Sequence, residues 1–297
     1  MNTTPAEIPV AFLGLGIMGS GMAGRLLDAG FPLAVYNRNP DRAAPLVARG
    51  ARLARTPADA ATGAQVILSM VADDQASRSL WLGQASALAA AARGTVLIES
   101  STLTVDWIHE LAAAAQDRGC VLLDAPVTGS KIHAASGELN FLVGGDAAAL
   151  ETARPVLTAM AKSIIHLGPT GSGALLKLIN NFLCGVQLAS LAEAMALIER
   201  SQLNRARALE VLNNGAPGSP LVRTLSARMV ARDYTPNFLL RLMAKDLGYA
   251  LAEGGKQSLE LATAASALQV FQQAINGGHG EQDFSAAVEP FRKQVEK

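Results

Sequence analysis

The chain has 297 residues, half of them apolar, so it is long enough to bury a large core and exceeds the usual size of one domain. Its 25 lysines and arginines balance its 25 aspartates and glutamates. A balanced chain lacks the broad positive field that binding to a phosphate backbone requires, so we expect no nucleic-acid partner. The length favours two domains.

Membrane insertion and secretion are not favoured by the apolar segments. The first apolar run, Val10–Leu13, leads straight into a glycine turn, which is typical of a strand. The longest apolar region, residues 174–198, is interrupted by polar residues, so we interpret it as a buried helix. Cys120 and Cys184 lie far apart in apolar surroundings, which favours reduced thiols. We therefore expect a cytoplasmic protein without a membrane partner.

Short β-branched runs alternate with alanine-rich helical stretches up to about Gly168. This alternation is typical of a doubly wound α/β sheet, which predicts a first domain over residues 1–168. Beyond it the segments are all of helical length, which predicts an all-helical domain over residues 169–297. The predicted strands are Val10–Leu13, Leu33–Asn37, Gln65–Met70, Thr95–Glu99, Cys120–Leu123, Leu139–Val143 and Ser163–Leu167.

A glycine motif follows the first predicted strand and precedes a helical stretch, as in dinucleotide-binding turns. Gly14 permits the tight turn, Gly16 lets the backbone approach a pyrophosphate, and Gly19 allows close packing of helix on strand. The motif is Gly14, Leu15, Gly16, Ile17, Met18 and Gly19, and we expect all of these except Leu15 to contact the cofactor.

The end of the second predicted strand indicates which nicotinamide cofactor binds. NAD-binding turns place a carboxylate there for the ribose 2′-hydroxyl, whereas this chain has Asn37, Arg38 and Asn39. The planar guanidinium of Arg38 would pair with a 2′-phosphate, so we predict NADP as the cofactor. We also expect Met70, at the end of the third predicted strand, to contact it.

Four segments follow one another along the chain: residues 14–30, 124–130, 168–173 with Lys177 and Asn181, and 245–247. Together they resemble the β-hydroxyacid dehydrogenase family, which includes 3-hydroxyisobutyrate dehydrogenases, tartronate semialdehyde reductases and glyoxylate/succinic semialdehyde reductases. The resemblance implies a Rossmann domain, a long helix entering a helical domain, and an active site between them. It also implies a homodimer or homotetramer built through the helical domain.

The resemblance makes Lys177 the catalytic proton donor and Asn181 its companion. The two lie four residues apart in a helical segment, so both project from one face among apolar neighbours. A lysine that loses water on burial gives up its proton more readily, which suits donation to the alkoxide formed when a carbonyl is reduced.

The substrate is expected to be a small hydroxy- or oxo-carboxylic acid. Thr128, Gly129 and Ser130 form a turn whose N–H groups and hydroxyls would bind a carboxylate. The family commonly has Ser-Gly-Gly here. The Gly-Ser-Lys ending of this chain instead resembles the glyoxylate/succinic semialdehyde reductase branch, and that resemblance favours a semialdehyde or glyoxylate substrate.

Other site residues are implied by the resemblance alone. Thr102 would lie beside nicotinamide and substrate, Lys245 would reach the cofactor, and Phe238 and Asp246 would shape the substrate site. No histidine has a metal-ligand spacing with Cys, Asp or Glu, so we predict no metal.

Three alternatives stay open. A 6-phosphogluconate dehydrogenase would carry histidine where this chain has Asn180, and imine reductases generally lack the lysine found at 177. A catalytically idle NADPH-binding sensor would have no need for the proton donor.

Overall fold

The computed structural model describes residues 4–293 and divides into two compact units, between Lys177 and Leu178. The predicted domain boundary at Gly168 lies earlier in the chain, at the end of the last strand. The difference arises because the long helix that follows begins within the first unit and continues into the second.

A single sheet dominates the first unit. Its order is β3-β2-β1-β4-β5-β6-β8-β7, with β9 paired to β8, and the run from β3 to β6 is parallel. The described strands are β1 (Val10–Leu13), β2 (Leu33–Tyr36), β3 (Arg52–Leu53), β4 (Val66–Ser69), β5 (Val96–Glu99), β6 (Val121–Asp124), β7 (Val127–Thr128), β8 (Leu139–Gly144) and β9 (Ala161–Gly168).

The seven predicted strands are all present, with ends within two residues of those expected. The sequence did not indicate β3 and β7, which are two residues long each and too short for a periodic pattern. It also did not indicate that β8 runs antiparallel to β6 and β7, because the hydropathy pattern of a strand does not depend on its direction in the sheet.

The helices of the first unit cover both faces of this sheet. One apolar layer includes Phe12 and Met22, and another, on the opposite side of the alternating strands, includes Leu13 and Trp107. The α-helices are α1 (Gly19–Asp28), α2 (Ala44–Val47), α3 (Pro57–Ala61), α4 (Asp74–Trp81), α5 (Ala87–Ala90), α6 (Val105–Asp117), α7 (Lys131–Ser136) and α8 (Ala147–Thr158).

The second unit is helical, as predicted, with an isolated β-bridge between Leu239 and Asp283 within the described residues. Its core includes Leu188, Met195, Leu247 and Phe271, all fully buried. The α-helices are α9 (Ser172–Arg200), α10 (Arg205–Asn214), α11 (Pro220–Ala231), α12 (Leu240–Lys256), α13 (Ala262–Ala274) and α14 (Glu289–Lys293).

By length and composition alone, helix α9 could cross a membrane, since its most apolar window has a mean hydropathy of 1.5. Half of that window is buried inside the protein, however, and core helices of soluble proteins show the same pattern.

The parallel strands end in register, which brings their following loops to one edge of the sheet. The last residues of β2, β1, β4, β5 and β6 are neighbours in a row: Tyr36, Leu13, Ser69, Glu99 and Asp124. The chain reverses its direction of winding between β1 and β4, at the point where open α/β sheets place their ligands.

Candidate active site

The glycine turn after β1 has the geometry expected from the motif. Gly14 adopts φ +98°, and a Cβ there would lie 2.3 Å from the Met70 carbonyl oxygen. A Cβ on Gly19 would lie 2.0 Å from the Gly14 carbonyl oxygen. Both residues must therefore be glycine for α1 to pack this closely on the sheet.

Gly16 differs from the other two glycines, because no atom lies within 4 Å of the place where its Cβ would stand. Its lack of a side chain therefore serves no packing within the described chain and leaves space beside the backbone. The N-cap of α1 is Met18, and no side chain caps this helix among the described residues. Open space next to an uncapped helix N-terminus fits a dinucleotide pyrophosphate, with Ile17 in the same turn.

Asn37 has a structural role that the sequence did not indicate. Its side-chain oxygen accepts a hydrogen bond from the Leu15 N–H at 2.9 Å, and its amide donates to the Asn39 carbonyl at 2.7 Å. The Asn39 side chain accepts from the Asp41 N–H. Arg38 lies between them, exposed to solvent, so the loop holds its backbone in place and leaves the guanidinium outside.

A buried carboxylate that sequence reasoning missed supports the loop after β5. One oxygen of Glu99 accepts from the Ser77 hydroxyl at 2.6 Å and the Trp81 indole at 2.9 Å, and the other accepts from the Ser101 N–H. The Ser101 hydroxyl in turn accepts from the Val71 N–H at 2.8 Å. These bonds join the loop after β5 to the loop after β4.

Met70 and Thr102 stand in these two loops, and both are half-buried. The Met70 N–H donates to the Leu13 carbonyl, so Met70 lies beside the glycine turn. Its contact with the cofactor stays a prediction. Thr102 precedes α6 at the same edge of the sheet.

The turn at Thr128, Gly129 and Ser130 is built differently from the expectation. The Ser130 N–H donates to His133 Nδ1 at 3.0 Å, and the Ser130 hydroxyl lies 2.9 Å from the same nitrogen. His133 Nδ1 must be unprotonated to accept this bond. The Ser130 N–H and hydroxyl are therefore both engaged with His133 within the turn, and the Thr128 hydroxyl accepts from the Asn140 amide at 3.4 Å.

Gly129 itself is exposed and adopts φ +127°, with its Cβ position 2.9 Å from Leu139. Any other residue would be strained there and would collide, so the turn requires glycine at this position.

Lys177 lies near the start of α9, whose N-terminus is fixed at the end of β6. The fully buried Asp124 carboxylate accepts from the N–H groups of Gly171 and Ala174, both at 2.8 Å. Lys177 follows one turn later and is half-buried. The structure thus gives Lys177 less burial than the apolar neighbours suggested.

In the second unit, two predicted residues come together at the buried carboxylate of a third. Asp246, 1% exposed, accepts from the Asn181 amide at 2.6 Å and lies 2.9 Å from the Lys245 ammonium. The Lys245 nitrogen also lies 4.6 Å from the centre of the Tyr249 ring. Asn180 donates to the Asn181 side-chain oxygen at 2.9 Å.

Asp246 is therefore a buried anchor for Asn181 and Lys245. The sequence placed these residues on two helices of the same domain, but a contact between α9 and α12 leaves no local pattern that would reveal it. Phe238 is half-buried and packs edge-on against Phe284, with ring centroids 5.3 Å apart.

Comparisons with known protein families agree with this geometry. Residues 9–168 match the model described as the NAD binding domain of 6-phosphogluconate dehydrogenase. Residues 171–291 match the model described as NAD-binding of NADP-dependent 3-hydroxyisobutyrate dehydrogenase. The chain belongs to the β-hydroxyacid dehydrogenase family.

Individual members of the family match over nearly the whole chain. An NAD-dependent L-serine dehydrogenase of Pseudomonas aeruginosa is 38% identical over 95% of this chain and 97% of its own length. Glyoxylate/succinic semialdehyde reductase 2, chloroplastic, of Arabidopsis thaliana is 33% identical over 98% of this chain and 83% of its own. The structure of Mycobacterium tuberculosis 3-hydroxyisobutyrate dehydrogenase with L-serine superposes with a TM-score of 0.86, at 32% identity, over 96% of this chain and 99% of that one.

This β-hydroxyacid dehydrogenase is thus an oxidoreductase that acts on CH–OH groups and uses a nicotinamide cofactor. Membership disfavours the idle NADPH-binding sensor that the sequence left open. Among the described residues, no group of three or more His, Cys, Asp or Glu side chains could hold a metal ion. Both cysteines are free thiols, Cys120 buried and Cys184 half-buried.

Proposed function

We propose that this protein uses NADPH to reduce a small oxo- or semialdehyde carboxylic acid to the hydroxy acid, with Lys177 as proton donor. The observation that carries the proposal is the start of α9. This helix begins at the end of β6, on the sheet edge that also carries the glycine turn, and Lys177 stands one turn after its fixed N-terminus. A proton donor and a cofactor turn on the same edge are what carbonyl reduction requires.

The preference for NADPH rests on this chain's own residues, since one of the relatives is named NAD-dependent. No carboxylate follows β2 at residues 37–39, where NAD-binding turns hold the ribose 2′-hydroxyl. Arg38 is exposed at that place, and its fork of N–H donors suits a 2′-phosphate.

The cofactor would be held by the glycine turn, residues 37–39, Met70, Thr102 and Lys245, and it supplies the hydride when bound. The substrate carboxylate would be bound by the Thr128 and Ser130 hydroxyls and Gly129. Lys177 would donate its proton to the carbonyl oxygen, where a nearby cation also stabilises the developing negative charge.

Four further residues would assist this chemistry. Asn181, held by the buried Asp246, would present its second amide hydrogen to the substrate oxygen, and Asp246 would fix Lys245 as well. Phe238, braced by Phe284, would form an apolar wall of the substrate site.

A second candidate is the oxidation of a 3-hydroxy acid such as L-serine. It is favoured by the relative named NAD-dependent L-serine dehydrogenase and by the solved family member with L-serine. This candidate ranks second because residues 37–39 carry an exposed arginine and no carboxylate.

A substrate panel with both cofactors decides between them. We expect NADPH oxidation with glyoxylate, succinic semialdehyde, tartronate semialdehyde or methylmalonate semialdehyde, and little with neutral aldehydes of equal size. Comparable turnover of the neutral aldehydes would contradict binding through the carboxylate. Faster turnover of L-serine with NAD than of any oxo acid with NADPH would establish the second candidate instead.

We also propose that the enzyme works in the cytoplasm as a homodimer or homotetramer, without nucleic-acid or membrane partners. Large apolar side chains stay exposed along α9 in the single chain, which supports self-association: Ile179 at 43%, Leu183 at 52% and Leu197 at 72%. Light scattering on the eluting protein measures the mass directly, and a monomer at micromolar concentration would contradict the proposal.

A further inference from the structure

Asp124, the last residue of β6, is fully buried, and its carboxylate binds backbone rather than another side chain. Oδ1 accepts from the Gly171 N–H and Oδ2 from the Ala174 N–H, each at 2.8 Å. Burial raises the pKa of this carboxyl, while the backbone N–H bonds act in the opposite direction. A buried carboxyl is costly to keep, so its position needs a reason.

The two N–H groups belong to the first turn of α9. The Gly171 carbonyl accepts from the Leu175 N–H, which makes Gly171 the N-cap of this helix. An N-cap side chain normally accepts from the third residue of its helix, but glycine has no side chain. Asp124 replaces it from a strand 47 positions earlier in the chain and binds both the N-cap and Ala174.

The space around the carboxylate admits only glycine. A Cβ on Gly144 would lie 2.5 Å from Oδ1, and a Cβ on Gly173 would lie 2.7 Å from the Asp124 carbonyl oxygen. Gly171 adopts φ +95°, a conformation that other residues rarely take. The glycines therefore close around Asp124 and hold the start of α9 at one height and one rotation.

Lys177 follows Ala174 by three residues, about 4.5 Å along the helix axis. An α-helix transmits the position of its first turn rigidly over that distance. The bonds to Asp124 therefore fix where the Cα of Lys177 stands relative to the carboxyl edge of the sheet, where the cofactor turn lies.

We propose that Asp124 is a positioning residue for Lys177, which sets the height and rotation of α9 so that the ammonium meets the carbonyl oxygen of the substrate. This role rests on the proposed function of Lys177. Asp124 itself, enclosed by backbone, touches neither substrate nor cofactor in this role.

Asp124→Asn tests the proposal with little change of shape. The amide keeps one acceptor but turns an N–H toward a backbone N–H, which loosens the first turn. We expect kcat to fall about 10- to 100-fold, the scale of a displacement of about 1 Å. NADPH affinity should stay within about threefold, because the glycine turn is not touched. The solvent deuterium isotope effect on kcat should rise, because proton transfer becomes slower.

Asp146→Asn is the matched control. Asp146 caps α8 through the Ala149 N–H at 2.8 Å, and that helix carries no predicted site residue. We expect kcat to stay within about twofold, because asparagine also caps well. Equal losses of kcat in the two variants would overturn the proposal, because they would reflect a general loss of helix capping.

Gly144→Ala provides a second route, because its methyl group would displace the Asp124 carboxylate without removing it. It should lower kcat and spare NADPH binding in the same way as Asp124→Asn. If neither variant folds while Asp146→Asn does, the carboxylate is a folding element, and the positioning role is refuted.

A double-mutant cycle separates this inference from the proposed function. In Lys177→Ala protein, Asp124→Asn should cause no further loss of kcat, since the residue it positions is gone. A full further loss would overturn the inference and leave the role of Lys177 intact. If Lys177→Ala alone retains wild-type turnover, the proposed function fails first, and the inference fails with it.

Discussion

Arg38→Asp is expected to weaken NADPH binding strongly and to leave the protein fold unchanged. Arg38 is exposed, and it forms no hydrogen bond or ion pair with the part of the chain that the structure describes. The substitution therefore removes no internal hydrogen bond or ion pair among the described residues. Its effect on binding measures the interaction of residue 38 with the cofactor.

The magnitude follows from the two charges that change. Loss of charge-assisted hydrogen bonds to a 2′-phosphate costs about 1.5–3 kcal/mol. The new aspartate adds a repulsion of about 1 kcal/mol at an exposed site. Together they predict a rise in the dissociation constant of NADPH of about 60- to 1,000-fold. NADH has no 2′-phosphate, so its affinity should hold or improve.

Cofactor fluorescence measures both dissociation constants, and Arg42→Asp is the control. Arg42 is also exposed and lies four residues after Arg38, in the short helix Pro40–Ala43. Arg42→Asp therefore makes the same change of charge close to residue 38. It should weaken NADPH binding far less, and mostly at low salt, because distant exposed charges are screened.

Two results would refute the reasoning. An equal loss of NADPH affinity in the two variants would mean that the overall positive charge of this loop attracts NADPH, and that Arg38 forms no specific pair with the 2′-phosphate. A wild-type enzyme that uses NADH with equal or better kcat/KM would contradict the NADPH preference itself.

Three further predictions address the cofactor turn, the second unit and its ion pair. Gly16→Ala should unfold at the wild-type temperature, because its Cβ would meet nothing within 4 Å. It should nevertheless bind NADPH at least about tenfold more weakly, as measured by cofactor fluorescence, because the methyl group would fill the space for the pyrophosphate. Asn181→Ala removes the amide that donates to the buried Asp246 at 2.6 Å. The unfolding free energy, measured in urea by circular dichroism, should therefore fall by about 1.5–3 kcal/mol. A change below about 0.5 kcal/mol would exclude this anchoring. Hydrogen bonding from Arg292 lowers the pKa of Glu199 in the folded protein. Glu199→Gln should therefore lower the unfolding free energy by about 1–2 kcal/mol near pH 7, and this loss should shrink as the pH falls below the pKa of the unfolded state, about 4.3, and through the lower pKa of the folded state. A loss that is constant down to pH 3 would contradict this linkage.

The parallel half of the sheet could be predicted from the sequence because its strands are buried on both faces and read as continuous apolar runs. β1, β4 and β5 are buried at every position. The edge strand β3 could not be predicted, since both of its residues are exposed. The predicted strand was one or two residues shorter at each end than β9, because none of the residues of β9 is buried and their burial alternates weakly.

For the candidate site, too, local features could be predicted from the sequence and contacts between distant residues could not. The glycine turn is local, and its φ angles and close contacts agree with the motif. The bond from Asn37 to Leu15 and the capping of α9 by Asp124 join residues far apart in the chain, so no spacing rule reveals them. The bond from Ser130 to His133 spans three residues and could have been recognised as an N-cap with its partner.

The central claim is that Lys177 donates the proton, and Lys177→Ala tests it most directly. NADPH affinity by fluorescence and kcat at saturating oxo acid should be measured on the same preparation. We predict that affinity stays within about threefold while kcat falls about 100- to 10,000-fold, the range of a positioned general acid. Lys177→Arg should also fail, because guanidinium keeps its proton. Turnover of Lys177→Ala within a few-fold of wild type would contradict the account.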